Sequence, residues 1–90
     1  MSVKVNIHPF LLHLTNQQDS VQAEGNNVGE VLNYLVEKYP GLREWLFEKD
    51  GKINNLVEIY VNMESSYPEE LTKPVKEGDE LQIIIIITGG

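Results

Sequence analysis

The sequence ends Thr88-Gly89-Gly90, and this stretch holds the groups best suited to chemistry. Glycine has no Cβ, so a diglycine segment passes through spaces closed to any other residue. From Thr88 to the carboxylate an extended tail spans about 10 Å, at roughly 3.3–3.6 Å per residue. Such a tail is a thin, unbranched probe tipped with a carboxylate. A carboxylate is inert towards nucleophiles until it is activated. Adenylation of Gly90 with ATP, on another enzyme, would give an acyl-adenylate whose leaving group is AMP. Attack by sulfide or a persulfide would then give a thiocarboxylate, and attack by an amine would give an amide. Gly90 is therefore the candidate acyl site, with Gly89 and Thr88 as its slender approach. The chain has no phosphate-cradling glycine loop and no cysteine, so it carries no activator of its own and is expected not to be an enzyme.

The remaining candidates for chemistry are weak. His8 and His13 lie five apart with no carboxylate cluster nearby, so no metal site is expected. Glu69-Glu70 and Glu77-Asp79-Glu80 read as solvated charge, because nothing around them promises the burial that would separate the pKa values of an acid/base pair. The absence of cysteine also excludes disulfides and a thiol nucleophile. With 14 acidic against 7 basic residues the net charge is -7, which opposes nucleic-acid binding and suits basic partners. No signal peptide is visible, and the isoleucine run is too short to span a bilayer, so a soluble cytoplasmic protein is expected.

A probe of this kind needs a rigid mount. Leu81-Gln82 and the five isoleucines Ile83–Ile87 lead straight into Thr88, and branching at Cβ favours the extended backbone of a strand. Gln82 sets the phase of that strand. Leu81, Ile83, Ile85 and Ile87 are expected to face a core. Ile84 and Ile86 share the opposite, open face with Gln82, as candidate partner contacts. Apolar residues on an uncovered sheet face mark an interface or an aggregation hazard, unless neighbouring strands cover them. Lys76, Glu77, Asp79 and Glu80 just before the strand are charged gatekeepers.

The other elements follow from periodicity. Val3, Val5 and Ile7 alternate with polar residues as a first strand, which Pro9 interrupts before the apolar Phe10-Leu11-Leu12. Asn16 to Asp19 reads as a turn, and Ser20 to Glu24 as a second strand with Val21 and Ala23 inward. Asn27 with Glu30 is a capping-box-like start to a helix. Val28, Val31, Leu32, Leu35, Val36 and Tyr39 form its apolar stripe, and Pro40-Gly41 stops it. A short second helix is expected over Leu42 to Glu48, with Leu42, Trp45 and Leu46 inward and Trp45 as a core anchor. Asp50-Gly51 is a turn, and Leu56 to Asn62 a third strand with Val57, Ile59 and Val61 on one face. Met63 to Pro68 reads as a polar connection, and Leu71 to Val75 as a short strand or bridge.

One long helix must bury its stripe against one sheet, which makes a two-layer α+β fold. With the last strand central and parallel to the first, the layout is a β-grasp: a mixed sheet packed on one main helix. Ninety residues make a single domain, 1–90, with residues 88–90 expected as a flexible tail.

Val75-Lys76-Glu77-Gly78-Asp79-Glu80-Leu81, followed by a hydrophobic strand and Gly89-Gly90, resembles the ubiquitin-like sulfur carriers of the ThiS/MoaD family. The third strand, Leu56 to Asn62, and the insert from Gly41 to Lys52 look most like the mycobacterial type used in cysteine biosynthesis. The resemblance implies that an E1-like enzyme adenylates Gly90 and that the tail becomes a thiocarboxylate. It implies sulfur transfer on a pyridoxal-phosphate cysteine synthase, with release by a JAMM-type metalloprotease. In the molybdopterin branch the tail would enter the synthase large subunit, and in the thiamine branch it would serve a different acceptor. ATP, pyridoxal phosphate and zinc would all belong to partner enzymes. The family commonly has proline and small residues before the glycines, whereas this chain has Ile84 to Thr88. A ubiquitin-like protein modifier, with Gly90 joined to lysines, and a passive binding module are the competing expectations.

Overall fold

Every second residue of Ser2–Asn6 (β1) and Ser20–Glu24 (β2) is buried, and the two strands pair antiparallel with Val5 opposite Val21. These contacts come from a computed structural model, which describes residues 2–86. Between β1 and β2, Pro9–Leu14 forms a 3-10 turn that buries Leu11. The expected turn at Asn16 to Asp19 is present, with Asn16 and Gln17 both at positive φ.

The main helix, α1 (Val28–Lys38), buries Val28, Val31, Leu32, Leu35 and Val36, the stripe expected of it. Its first turn is closed from three sides. Asn27 Oδ1 accepts from Glu30 N at 2.8 Å, while Val28 N and Gly29 N donate to the carbonyls of Lys73 and Leu71, each at 2.9 Å. The amides of Val28, Gly29 and Glu30, which have no partner within the helix, thus all find acceptors. Glu30 does reach back, but to Asn26 N (2.9 Å) rather than to the cap residue itself. Position 29 needs glycine for space: a Cβ there would stand 2.8 Å from the Leu71 carbonyl oxygen. The 71–75 segment is accordingly a bridge, pairing Pro74 with Asn27.

After Pro40 the chain makes a 3-10 turn and then α2, which covers only Arg43–Leu46. Leu42 and Leu46 are fully buried, but Trp45 is 38% exposed, so the expectation of a tryptophan core anchor is overturned. A single helical turn offers the core a face about two side chains wide. Leu42 and Leu46, four apart, occupy it. Phe47 is already extended and bridges to Ile53, which ends the helix before Glu48.

Val57–Val61 (β3) buries Val57, Ile59 and Val61 as expected. The expected polar connection after it is instead a tight hairpin. Asn62 and Met63 both take positive φ (50° and 72°), and Glu64–Ser65 (β4) turns back along β3, with Tyr60 opposite Ser65. Asparagine suits that backbone and methionine does not, so the sequence carries only half of the turn signal. Ser66, buried just beyond, donates from Oγ and N to the Ile59 carbonyl at 2.6 and 2.9 Å.

The last strand, Glu80–Ile85 (β5), completes a five-stranded sheet of order β2-β1-β5-β3-β4. It runs parallel to β1 and antiparallel to β3, so both of its edges are paired. Leu81, Ile83 and Ile85 are buried in the same core as the α1 stripe. The sheet with its one covering helix is the β-grasp arrangement expected from the sequence.

Candidate functional site

The start of β5 is tied down by side chains. Gly78 sits at φ +87°, a backbone that glycine takes without strain, and so turns the chain into the strand. The Asp79 carboxylate accepts from Lys76 N at 2.8 Å and from Asn62 Nδ2 at 3.0 Å. Those hydrogen bonds, Asn62's first, hold its pKa below the ordinary 3.8. Asn62 also exchanges bonds with Glu80: Glu80 N donates to Asn62 Oδ1 (2.9 Å), and Asn62 N donates to the Glu80 carbonyl (2.8 Å). Lys4 N donates to the Asp79 carbonyl, and Glu77 receives Ser2 N. Glu80 accepts from Asn6 Nδ2. The acidic run is thus a knot between β1, β5 and the β3–β4 hairpin, and not an acid/base pair.

Among the described residues, no side-chain hydrogen bond ties the far end of β5. Its register with β3 runs to Val57 opposite Ile85, and Ile86 N then donates to the Leu56 carbonyl at 2.7 Å. Gly90, Gly89, Thr88 and Ile87 lie outside the described residues. Gly90 lies four residue steps beyond Ile86, so the acyl carbon can stand at most about 14 Å from this last anchor.

On the open face Gln82 and Ile84 are half-buried and Ile86 is 39% exposed. Cover for Ile84 comes from the neighbouring strand, where Glu58 is its register partner, and Gln82 lies between Tyr60 and Asn6. The three residues expected to contact a partner therefore share one face, and their exposure rises towards the tail.

Two hollows flank that end of the strand. On the β1 side a small one of about 170 Å³ lies among Asn6, His8, Pro9, Gln82 and Ile84. His8 is engaged locally: its Nδ1 accepts from Phe10 N at 3.1 Å, and its ring meets the Phe10 ring edge-on. No group of three metal-ligating side chains occurs among the described residues, and His13 sits in the last turn of the 3-10 segment. On the β3 side a larger groove of about 680 Å³ is lined by Ile53, Val57, Glu58, Tyr67, Glu70 and Ile86, among others. Sequence reasoning missed this groove. Its one forewarning among the lining residues was Tyr67, a large ring set in a polar stretch, which is exposed. A third hollow, of about 590 Å³, lies on the helix side between α1 and α2, away from β5. No helix of the described residues is long and apolar enough to cross a membrane.

Comparison with known proteins gives a consistent picture. The model of the ThiS family matches residues 5–90. Sulfur carrier protein CysO of Mycobacterium tuberculosis is 34% identical over the full length of both chains. Among solved structures, that of the BexX/CysO complex of Amycolatopsis orientalis matches with a TM-score of 0.88 and 30% identity, covering 98% of this chain and 99% of the other. The small archaeal modifier protein 1 of Methanosarcina acetivorans matches at TM-score 0.86 and 27% identity, over 99% and 96% of the two chains.

Proposed function

The chain belongs to the ThiS family, and from that premise we propose that it carries sulfur as a thiocarboxylate on Gly90. The observation that carries this is the family match itself, which runs through the terminal Gly89-Gly90. An E1-like enzyme supplies ATP. One oxygen of the Gly90 carboxylate attacks the α-phosphorus and pyrophosphate leaves. A hydrosulfide equivalent then attacks the carbonyl carbon, and AMP departs with that carboxylate oxygen. The product holds sulfur where oxygen was, and a downstream enzyme removes it.

The domain does the mechanical part. Paired on both edges, β5 fixes where the tail starts, and Gly89 keeps the approach narrow enough for an enclosed active site. Ile84, Ile86 and Gln82 form the surface that meets the partner. Likeness to CysO favours a cysteine-synthase-type acceptor and a JAMM-type protease over the molybdopterin synthase large subunit or a thiamine-type acceptor. ATP, pyridoxal phosphate and zinc sit on those partners, and the carrier works in the cytoplasm without catalysing a step itself.

A second function, protein modification through an isopeptide bond from Gly90 to lysine, draws support from the likeness to the archaeal modifier. Intact mass of protein from its native host, with and without thiol alkylation, separates the two. The chain has no cysteine, so an alkylatable sulfur on the Gly90 peptide identifies the carrier. Alkylation matters because oxidation of Met1 or of the exposed Met63 gives nearly the same mass gain. Unmodified mass after incubation with ATP, sulfide and host extract would reject it, and conjugates stable to reductant and boiling would favour the modifier.

A further inference from the structure

Of the fourteen carboxylate side chains, only Glu58, Glu70 and Asp79 are half-buried; the other acidic residues are exposed. Asn62 and the Lys76 amide account for Asp79. The other two, twelve residues apart in sequence, line the same groove at the root of the tail. Drawing a carboxylate partly out of water costs free energy unless donors or a cation replace its hydration. Glu58 receives one hydrogen bond, from Ser65 Oγ, and the sole ion pair among the described residues is Lys52–Asp50. Ile53, Val57 and Ile86 form the groove's apolar wall, Asn54, Asn55 and Ser65 also line it, and the Tyr67 ring is 73% exposed at its edge.

We propose that this groove docks an arginine side chain of the protein that activates the tail. Two carboxylates match the forked donors of a guanidinium, and the apolar wall and tyrosine ring match its stem and planar face. A lysine ammonium, more strongly hydrated and without a flat face, fits less well. The chain's own carboxylate tail is repelled by the same two glutamates. A second copy is opposed by the net charge of -7 on each chain. An enzyme that binds ATP is, by contrast, cationic around its phosphate site. An arginine seated beside Ile86 stands at most about 14 Å of chain from Gly90, which sets the tail's entry point. The choice of partner rests on the carrier function; the arginine site itself does not.

Two measurements test this. In the first, N-acetyl-arginine methylamide is titrated into isotopically labelled protein and amide shifts are followed. Saturable shifts at Glu58, Tyr67, Glu70 and Ile86, larger than with the lysine analogue and lost in the E58Q/E70Q double variant, support the site. Equal shifts with lysine, or none at these residues, overturn it whatever the protein's function. In the second, the host's adenylating enzyme is given ATP, sulfide and each carrier. The E58Q/E70Q variant should raise KM for the carrier about tenfold with kcat within about twofold, while E24Q/E37Q, which removes the same charge elsewhere, leaves KM unchanged. If wild type is converted and the two double variants behave alike, arginine docking is overturned and the carrier function stands. If wild type is not converted at all, the carrier function fails and the titration alone decides the site.

Discussion

At its start β5 is fastened by side chains: Asn62, Asp79, Glu77 and Glu80 all spend their polar atoms on neighbouring backbone or amides. At its end, among the described residues, the same strand is held by backbone pairing and by the buried Ile83 and Ile85, while Ile84 is half-buried and Ile86 exposed. Polar residues at the first end are consumed in structure, and apolar residues at the second are left over. The exposed Ile86 lies in the same groove that the half-buried Glu58 and Glu70 line.

The sharpest way to break this contrast is to shorten the tail. Deletion of Gly90 should abolish thiocarboxylate formation by intact mass while the thermal unfolding midpoint stays at the wild-type value. Next in size, Leu81→Ala, on the buried face, should cost about 2–5 kcal/mol in denaturant unfolding, whereas Ile86→Ala on the open face should cost within about 0.5 kcal/mol. If the two cost the same, the open face is part of the core and the contrast collapses. Asn62→Ala, which removes both side-chain bonds at the fastened end, should cost about 1 kcal/mol and leave the KM of tail activation unchanged. The smallest effect belongs to Asp79. Its folded pKa lies below the ordinary 3.8, so its contribution is complete above that value and is lost as pH falls through it towards the folded pKa. Asp79→Asn should therefore lower stability slightly at neutral pH, converge with wild type as pH falls below about 4, and so flatten the acid limb of the stability curve; solvent exposure keeps the difference small.

What the sequence made legible were the features where one residue pattern has one structural answer. The stripe and cap of α1, the phase of β5 set by Gln82, and the central parallel pair all follow from periodicity and from a strand apolar on both faces. Trp45 was misplaced because hydrophobicity says that a ring prefers burial but not whether a one-turn helix has room for it. The β3–β4 hairpin was missed because Met63 takes a backbone its side chain does not advertise. The groove was invisible for a different reason. Glu58 lies on β3 and Glu70 beyond the hairpin, and only the reversal at Asn62-Met63 brings them to one hollow. The candidate acyl site, Gly90, with Gly89 as its approach, was read from residue types alone and lies outside the described residues.

The strand at the middle of the sheet is also the last of the described elements to be synthesised, with Lys4 paired to Glu80. Before that segment emerges from the ribosome, the β1–β2 and β3–β4 hairpins have nothing between them to join them. Folding of this sheet must therefore wait until β5 has been made. A chain stopped before β5 lacks the central strand, so its two hairpins stay unjoined and open to proteolysis. The topology makes the folded state a certificate that translation has passed β5.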